Sequence, residues 1–385
     1  MIPTLLVPSA QASEEPPAAP APAPAAAAAM PPAAPAAGGF ALLPAWGNTS
    51  PGQPVAPAPV APAAIQPAPA PQPSMLRWVY MVGSQLPDSI RQHPDSIDVL
   101  SPAWFYLDDN GNVQGQDSPE VSRFARAHGI KLMPIVTNAL MFDPDVAHDI
   151  LIDSHNQTRA LDGLSWLVNN FGYDGINIDF ENLYNSDRDL FSGFMANVYA
   201  RVHRENGKMV TIALGAKTKE DNGFSAPFDY KALAPNFDLG VIMTYDDHYA
   251  GGEAGPVAPL SWDEQVINYA TRFIPASKLL LGLPFYGYNW NVSTGGWARA
   301  MDYSSIVQTV FAHGVTVQMD PASQTPVVTY DSGSGVHQIW FENSTSLGYK
   351  ISLAAKHGLA GWGAWRGGME DQNFWSLDLL NAAAA

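Results

Sequence analysis

The residues best suited to do chemistry lie at positions 173–183, YDGINIDFENL. Polar and apolar residues alternate from Asn177 to Glu181, so that Asn177, Asp179 and Glu181 share one face of a predicted strand. A solvated edge strand is the simpler interpretation, but Asp and Asn are depleted in strands and the flanking residues are apolar, which favours a buried strand. Same-face carboxylates about 7 Å apart interact, so that the more buried one can keep its proton near neutral pH. A protonated acid beside an ionised carboxylate is suited to glycosidic bond cleavage.

Eight strand-like runs alternate with helical patterns along most of the chain. The runs lie at residues 78–82, 99–106, 131–137, 175–180, 209–214, 239–244, 279–284 and 361–365. This alternation predicts an α/β fold of the (β/α)₈ TIM-barrel type. Catalytic groups of such barrels sit at the C-terminal ends of the strands. We therefore expect Glu181, after the fourth strand, to meet Tyr245 and its neighbours, after the sixth, at one mouth.

The segment between the seventh and eighth strands is too long for a single helix. Residues 303–313 are predicted to be helical, and residues 316–319, 327–330 and 338–341 are predicted to form short strands. This pattern indicates a small α+β insertion at about residues 290–343 within a catalytic barrel of residues 75–385.

The first 74 residues differ in composition from the rest of the chain. They hold 20 of the 34 prolines and only two charged residues, which predicts a disordered Ala/Pro-rich linker. Residues 1–12 resemble the end of a signal peptide, although a basic n-region is missing and the apolar run is short. We expect an extracytoplasmic protein, secreted or in the cell envelope; a simple disordered tail is the alternative.

Composition also limits the partners. The formal net charge of −17 argues against binding to nucleic acid or to anionic membranes. No run of about 18 apolar residues occurs, so no membrane span is predicted. The chain has no cysteine, and its nine histidines show no HxH or HExxH spacing, so we expect no metal site. We predict a monomer without a cofactor.

Four motifs in order carry a family resemblance. The run from Asp174 to Glu181, DGINIDFE, resembles the DxxDxDxE strand of glycoside hydrolase family 18, the chitinase-like enzymes, with Asn177 in place of an Asp. The segments MTYDD (243–247), GLPFYGYNW (282–290) and GLAGWGAW (358–365) resemble the motifs of the sixth, seventh and eighth strands. The resemblance covers about residues 77–376. Asn177 and the segment HQIWFENSTSLGYK (337–350) are most similar to the bacterial branch of spore-cortex N-acetylglucosaminidases, which act on peptidoglycan.

The resemblance implies a role for each matching residue. Glu181 would be the general acid and later the general base, Asp179 would orient the substrate's 2-acetamido group, and Tyr245 would donate to the acetamido oxygen. Asp174 would help to fix the strand end, and the Asn177 amide would hold Asp179 by a hydrogen bond. Supporting residues are Asp174, Asn177, Met243 and Asp246.

Aromatic and acidic residues near the predicted mouth are candidates for binding the sugar. Trp365 matches the tryptophan that forms the floor of the site in this family. Glu342 would either reach into the cleft or lie on the surface as an ordinary charge. Further substrate-binding candidates are Tyr286, Trp290 and Asp247; Phe285 and Trp297 are weaker. Trp104 and Trp362 are predicted to pack in the core instead.

The sequence therefore predicts a retaining hydrolase of β-linked N-acetylglucosamine glycans, with peptidoglycan as the first candidate substrate. One alternative is a chitinase or an N-glycan endoglycosidase of the same family. The other is an inactive, chitinase-like carbohydrate-binding barrel, against which the intact Asp179, Glu181 and Tyr245 argue.

Overall fold

Eight parallel strands close into a barrel in the computed structural model, which describes residues 75–220 and 223–377. The barrel strands are β1 (Leu76–Val82), β2 (Val99–Leu107), β3 (Ile135–Asn138), β4 (Gly175–Asp179), β5 (Met209–Gly215), β6 (Leu239–Met243), β7 (Leu279–Pro284) and β8 (Gly361–Trp365). Each pairs with its neighbour in the chain, and β1 pairs with both β2 and β8, which closes the ring. The predicted TIM barrel is confirmed. The predicted linker and signal-peptide remnant lie outside the described residues.

Helices and short turns connect the strands. The α-helices are Asp88–Gln92, Pro119–Ala127, Pro144–Ile152, Ser154–Phe171, Arg188–Val198, Tyr230–Leu233, Leu260–Ala270, Tyr303–His313 and Ser344–Lys356. The 3₁₀ turns are Pro94–Ser96, Asn185–Asp187, Ala234–Asn236, Ala276–Lys278 and Gln372–Ser376, and a π-helical turn, Tyr199–Arg204, extends one helix. Two short strands, Val113–Gly115 and Lys131–Leu132, pair with β2. No helix within the described ranges combines the length and the apolar character needed to cross a bilayer.

Local sequence signals explain several of these ends. The Asp153 side chain accepts hydrogen bonds from two backbone N–H groups of the helix Ser154–Phe171, and Gly172 ends that helix with a φ of 68°. Such an N-cap and a left-handed glycine satisfy backbone groups that a helix leaves unpaired. Gly129, Gly207 and Gly358 also have positive φ, as their positions after helical patterns predict.

Apolar side chains form separate layers inside and outside the barrel wall. The inner cluster is built by Trp78, Tyr80, Val99, Met133, Ile135, Leu239, Val241 and Leu280. The much larger outer cluster lies between strands and helices and includes Ile176, Ile178 and Phe180 of the β4 segment. Phe180 stacks on Phe191 and Phe194 of the following helix, with ring centroids 5.9 and 5.5 Å apart. The apolar residues of the β4 segment thus face the helices, and its polar residues face the barrel interior.

The insertion between β7 and β8 is an antiparallel sheet with one helix. Its strands are Tyr286–Asn291, Arg299–Asp302, Gln318–Asp320, Thr325–Asp331 and Val336–Phe341. Tyr286–Asn291 pairs with both Arg299–Asp302 and Val336–Phe341, so the sheet begins directly after β7. The helix Tyr303–His313 has the bounds predicted from the sequence.

Candidate active site

The β4 segment carries three polar residues toward the barrel mouth. Asn177 and Asp179 are buried in the strand, and Glu181 follows two residues after its end, where it is half-buried. Asp179 Oδ1 has no hydrogen-bond partner among the described residues. A buried carboxylate oxygen without a partner is costly, so its position calls for a ligand that can donate to it.

Tyr245 joins these residues from β6. It lies two residues after Met243, the buried last residue of that strand, and the C-terminal ends of β4 and β6 open at the same edge of the barrel. Burial raises the pKa of Tyr245 well above its usual range, and the charges of Asp179 and Glu181 raise it further. The hydroxyl of Tyr245 makes no hydrogen bond within residues 75–220 and 223–377. The structure thus brings these three sequence-predicted residues together.

Burial and neighbouring charge favour the protonated form of both carboxylates. Burial raises the pKa of Asp179. Burial also raises the pKa of Glu181 well above its usual range, and the charges of Asp179 and Asp246 raise it further. Two close carboxylates in a buried site do not ionise together easily, so ionisation of one favours the protonated form of the other. The site can therefore present a proton donor and a negative charge side by side.

Asp246 is fixed by two tyrosines from the insertion. The hydroxyl groups of Tyr286 and Tyr288 donate to Asp246 Oδ1 at 2.6 and 3.0 Å. Asp246 itself has a φ of 62°, which is uncommon for a residue other than glycine. Tyr288 was not among the sequence candidates, although it follows Tyr286 by two residues and therefore shares its strand face.

Trp365 lies where a sugar platform is expected. It is the last residue of β8, is half-buried, and packs its ring against Tyr80 at 5.6 Å between centroids. Tyr80, on β1, was missed by the sequence analysis. Its hydroxyl is buried, and burial and the Asp179 charge raise its pKa, while the Asn177 side chain lowers it. The alternation of Trp78 and Tyr80 in β1 was the available signal for an inward-facing residue.

The position of Asn177 corrects one expectation. Its side-chain amide donates to Thr211 Oγ1 at 3.0 Å, and Thr211 donates onward to the Ile176 carbonyl. No hydrogen bond joins Asn177 to Asp179 in the described part of the chain, so the expected amide contact is wrong. The Asn177 amide instead ties β4 to β5, because Thr211 lies next to it in the parallel register.

Asp174 lies at the opposite end of β4 from Glu181. Its carboxylate accepts from the Leu132 backbone N–H at 2.8 Å, and its own backbone N–H donates to the Leu132 carbonyl. The residue therefore fixes the start of the strand and cannot contact a substrate at the mouth.

Two other candidates for substrate binding are buried. Trp290 is 3% exposed, and its indole N–H donates to the Gly252 carbonyl at 3.1 Å, which fastens the loop after β6 to the insertion. Trp290 therefore offers little exposed surface for the expected substrate contact. Tyr286 is also buried, with its hydroxyl on Asp246. Asp247 and Trp297 are exposed and stay candidates. Trp104, Trp362 and Phe285 are core residues, as predicted for the first two.

Glu342 is neither a cleft residue nor a surface charge. It is 2% exposed and lies 3.6 Å from Lys350 Nζ, which also bonds to buried Asp263 at 3.0 Å. Neither carboxylate oxygen of Glu342 has a good hydrogen bond within the described ranges. The carboxylates of Glu342 and Asp263 thus both lie beside the ammonium group of Lys350. Burial raises the pKa of Glu342 to about 7.

This buried cluster makes stability depend on pH. Because the folded pKa of Glu342 is above its unfolded value, its contribution to stability is lost as pH rises toward about 7. We expect Glu342→Gln to raise the free energy of unfolding at pH 8 by about 1 kcal/mol, with a smaller gain at pH 5. Urea unfolding at both pH values measures this, with exposed Glu205→Gln as control. A loss of stability at pH 8 would contradict it.

The chain is similar to several proteins that carry names. The chain is 31% identical over 228 residues to YdhD of Bacillus subtilis, named as a sporulation-specific glycosylase, but spans just 54% of that protein. It is 27% identical over 304 residues to the cortical fragment-lytic enzyme of the same organism, covering 77% of this chain and 70% of that enzyme.

Solved structures with the same fold include the spore cortex-lytic enzyme SleL of Bacillus cereus, with a TM-score of 0.74 and 25% identity over 82% of this chain and 75% of that one. A chitinase from Chromobacterium violaceum has the same score and identity, over 81% of this chain and 99% of its own. The profile of the family "Glycosyl hydrolases family 18" matches residues 93–370. The chain therefore belongs to glycosyl hydrolase family 18 and is a glycosidase.

Proposed function

We propose that this glycosidase cleaves β-linked N-acetylglucosamine glycans with retention, using the substrate's own acetamido group as the nucleophile. The observation that carries the proposal is the pair of polar groups left without partners beside Glu181. Asp179 Oδ1 and the Tyr245 hydroxyl lack hydrogen bonds among the described residues. An acetamido group offers an N–H for the first and a carbonyl oxygen for the second.

The steps follow from these contacts. Glu181 donates its proton to the glycosidic oxygen while the acetamido oxygen attacks the anomeric carbon, so that the leaving sugar departs as an alcohol. Asp179 accepts from the acetamido N–H and offsets the positive charge that develops on the oxazolinium-type intermediate. Glu181, now ionised, takes a proton from water; the water oxygen bonds to the anomeric carbon as the bond from that carbon to the acetamido oxygen breaks, which restores the acetamido group. Two displacements at that carbon retain its configuration.

Peptidoglycan is the substrate that we favour. The names of the relatives support this choice, since two of them describe lysis of the spore cortex or its fragments. An enzyme with that substrate acts outside the cytoplasm. The similarity to a chitinase supports chitin oligomers as the second candidate.

Digestion of purified peptidoglycan, followed by mass spectrometry of the products, tests the substrate. We expect new reducing ends that are all N-acetylglucosamine, with slower turnover of chitin oligomers. Turnover of chitin oligomers alone would favour the second candidate. Products ending in N-acetylmuramic acid would contradict the proposed bond specificity.

Tyr245→Phe tests the acetamido clamp. Removing one hydrogen-bond donor aimed at developing charge typically lowers kcat by about 10²-fold. We expect a loss of that size in steady-state kinetics on N-acetylglucosamine oligomers, with KM changed little. Tyr349→Phe is the matched control, since Tyr349 is exposed on the helix Ser344–Lys356 and is expected to have no effect. Equal activity of the two variants would remove Tyr245 from the mechanism.

A further inference from the structure

Asn138, the last residue of β3, forms hydrogen bonds with both the carbonyl and the N–H of Glu181. Its side-chain Nδ2 donates to the Glu181 carbonyl at 2.9 Å, and its Oδ1 accepts from the Glu181 N–H at 2.8 Å. A further contact runs from Nδ2 to the Asp143 carbonyl at 3.3 Å. Asn138 is completely buried, so water does not compete for these bonds.

The contact between Asn138 and Glu181 lies just beyond the end of the pairing between β3 and β4. Pairing between β3 and β4 ends at Thr137 and Asp179, so no strand partner remains for the backbone of Glu181. The next residue, Asn182, has a φ of 55°, which shows that the chain turns away at once. The Asn138 amide therefore supplies the two hydrogen bonds that a continuing strand would have made.

We propose that Asn138 is a positioning residue that fixes Glu181 at the barrel mouth through these two backbone hydrogen bonds. The proposal rests on the proposed role of Glu181 as acid and base. An amide carries a donor and an acceptor on one planar group, which matches the C=O and N–H of a single residue. Asp keeps the acceptor and loses the donor, and Ala loses both.

A first experiment measures the hydrogen bond without requiring activity. Backbone hydrogen exchange at Glu181 is followed by NMR in the native protein, in Asn138→Ala and in Asn138→Asp. We expect the Glu181 N–H to exchange at least tenfold faster in Asn138→Ala and to stay protected in Asn138→Asp, which keeps the acceptor. Equal protection in the native protein and Asn138→Ala would overturn the proposal.

A second experiment measures the consequence for catalysis. Misplacement of a catalytic group by about 1 Å costs about 10²-fold, so we expect kcat of Asn138→Ala to fall about 10- to 100-fold, with KM within about twofold. Asn138→Asp is expected to lie between this variant and the native enzyme. A looser Glu181 meets more water, which reduces the effect of burial, so the alkaline limb of kcat is expected to move to lower pH.

The matched control is Asn289→Ala in the insertion. Asn289 makes side-chain hydrogen bonds to Tyr330 and His337, and its side chain has no hydrogen bond to Asp179, Glu181, Tyr245 or Asp246. We expect its kcat and pH profile to be those of the native enzyme. If Asn138→Ala resembles Asn289→Ala in both respects, the proposal is wrong. If the native enzyme cleaves no N-acetylglucosamine glycan, the proposed function fails, and hydrogen exchange still decides the role of Asn138.

Discussion

Glu181→Gln is expected to lower kcat on N-acetylglucosamine glycans by about 10³-fold or more, within the range of general acid–base catalysis. Gln has nearly the same shape as Glu, so substrate binding is expected to survive. It has no acidic proton for the leaving oxygen and cannot take one from water, so both halves of the reaction lose their catalyst. The effect is large because burial and the charges of neighbouring carboxylates raise the pKa of Glu181, which favours its acid form.

Initial rates of reducing-end formation at saturating substrate measure this loss. Glu120→Gln is the control, since Glu120 is an exposed partner of Arg91. We expect the control to keep native activity, and thermal unfolding to show that Glu181→Gln is folded. Unchanged glycan release by Glu181→Gln would remove the acid from the mechanism and favour a carbohydrate-binding barrel.

Asp179→Asn is expected to cause the second-largest loss, about 10²- to 10³-fold in kcat, because a neutral amide cannot offset the charge on the acetamido group. It also changes the pH profile. The Asp179 charge raises the pKa of Glu181, so its removal lowers that pKa. Glu181 then loses its proton at lower pH, and the alkaline limb of kcat/KM moves to lower pH.

Rates between pH 4 and 9 test both parts of this prediction. Asp162→Asn is the control, because Asp162 is an exposed partner of Arg201. We expect this variant to have the same alkaline limb of kcat/KM as the native enzyme. An alkaline limb that is the same in Asp179→Asn and the native enzyme would show that the two carboxylates are not coupled.

The sequence predicts the barrel, and it predicts which candidate residues share one mouth, for a physical reason. Strand alternation decides which residues of β4 face inward, and the parallel barrel brings the ends of β4 and β6 to one edge. Asp179, Glu181 and Tyr245 are therefore placed by local pattern and topology together.

Residues whose roles depend on a specific neighbour were not predictable in this way. Asn138 is a polar residue at a strand end, but its contact with Glu181 depends on where the β3–β4 pairing stops. Trp290 was a candidate for substrate binding, and Glu342 was expected either in the cleft or on the surface. Trp290 lies in the antiparallel sheet and is hydrogen-bonded to the loop after β6. Glu342 is buried beside the ammonium group of Lys350. The spacing of residues in the sequence does not reveal these packing partners.

Cleavage of partially de-N-acetylated peptidoglycan tests most directly whether the substrate supplies the nucleophile. The native enzyme digests such material, and mass spectrometry identifies the sugar at every new reducing end. If the acetamido group attacks the anomeric carbon, each new end carries an N-acetyl group, and glucosamine never occupies that position. New ends bearing glucosamine, in proportion to its abundance in the polymer, would contradict the mechanism.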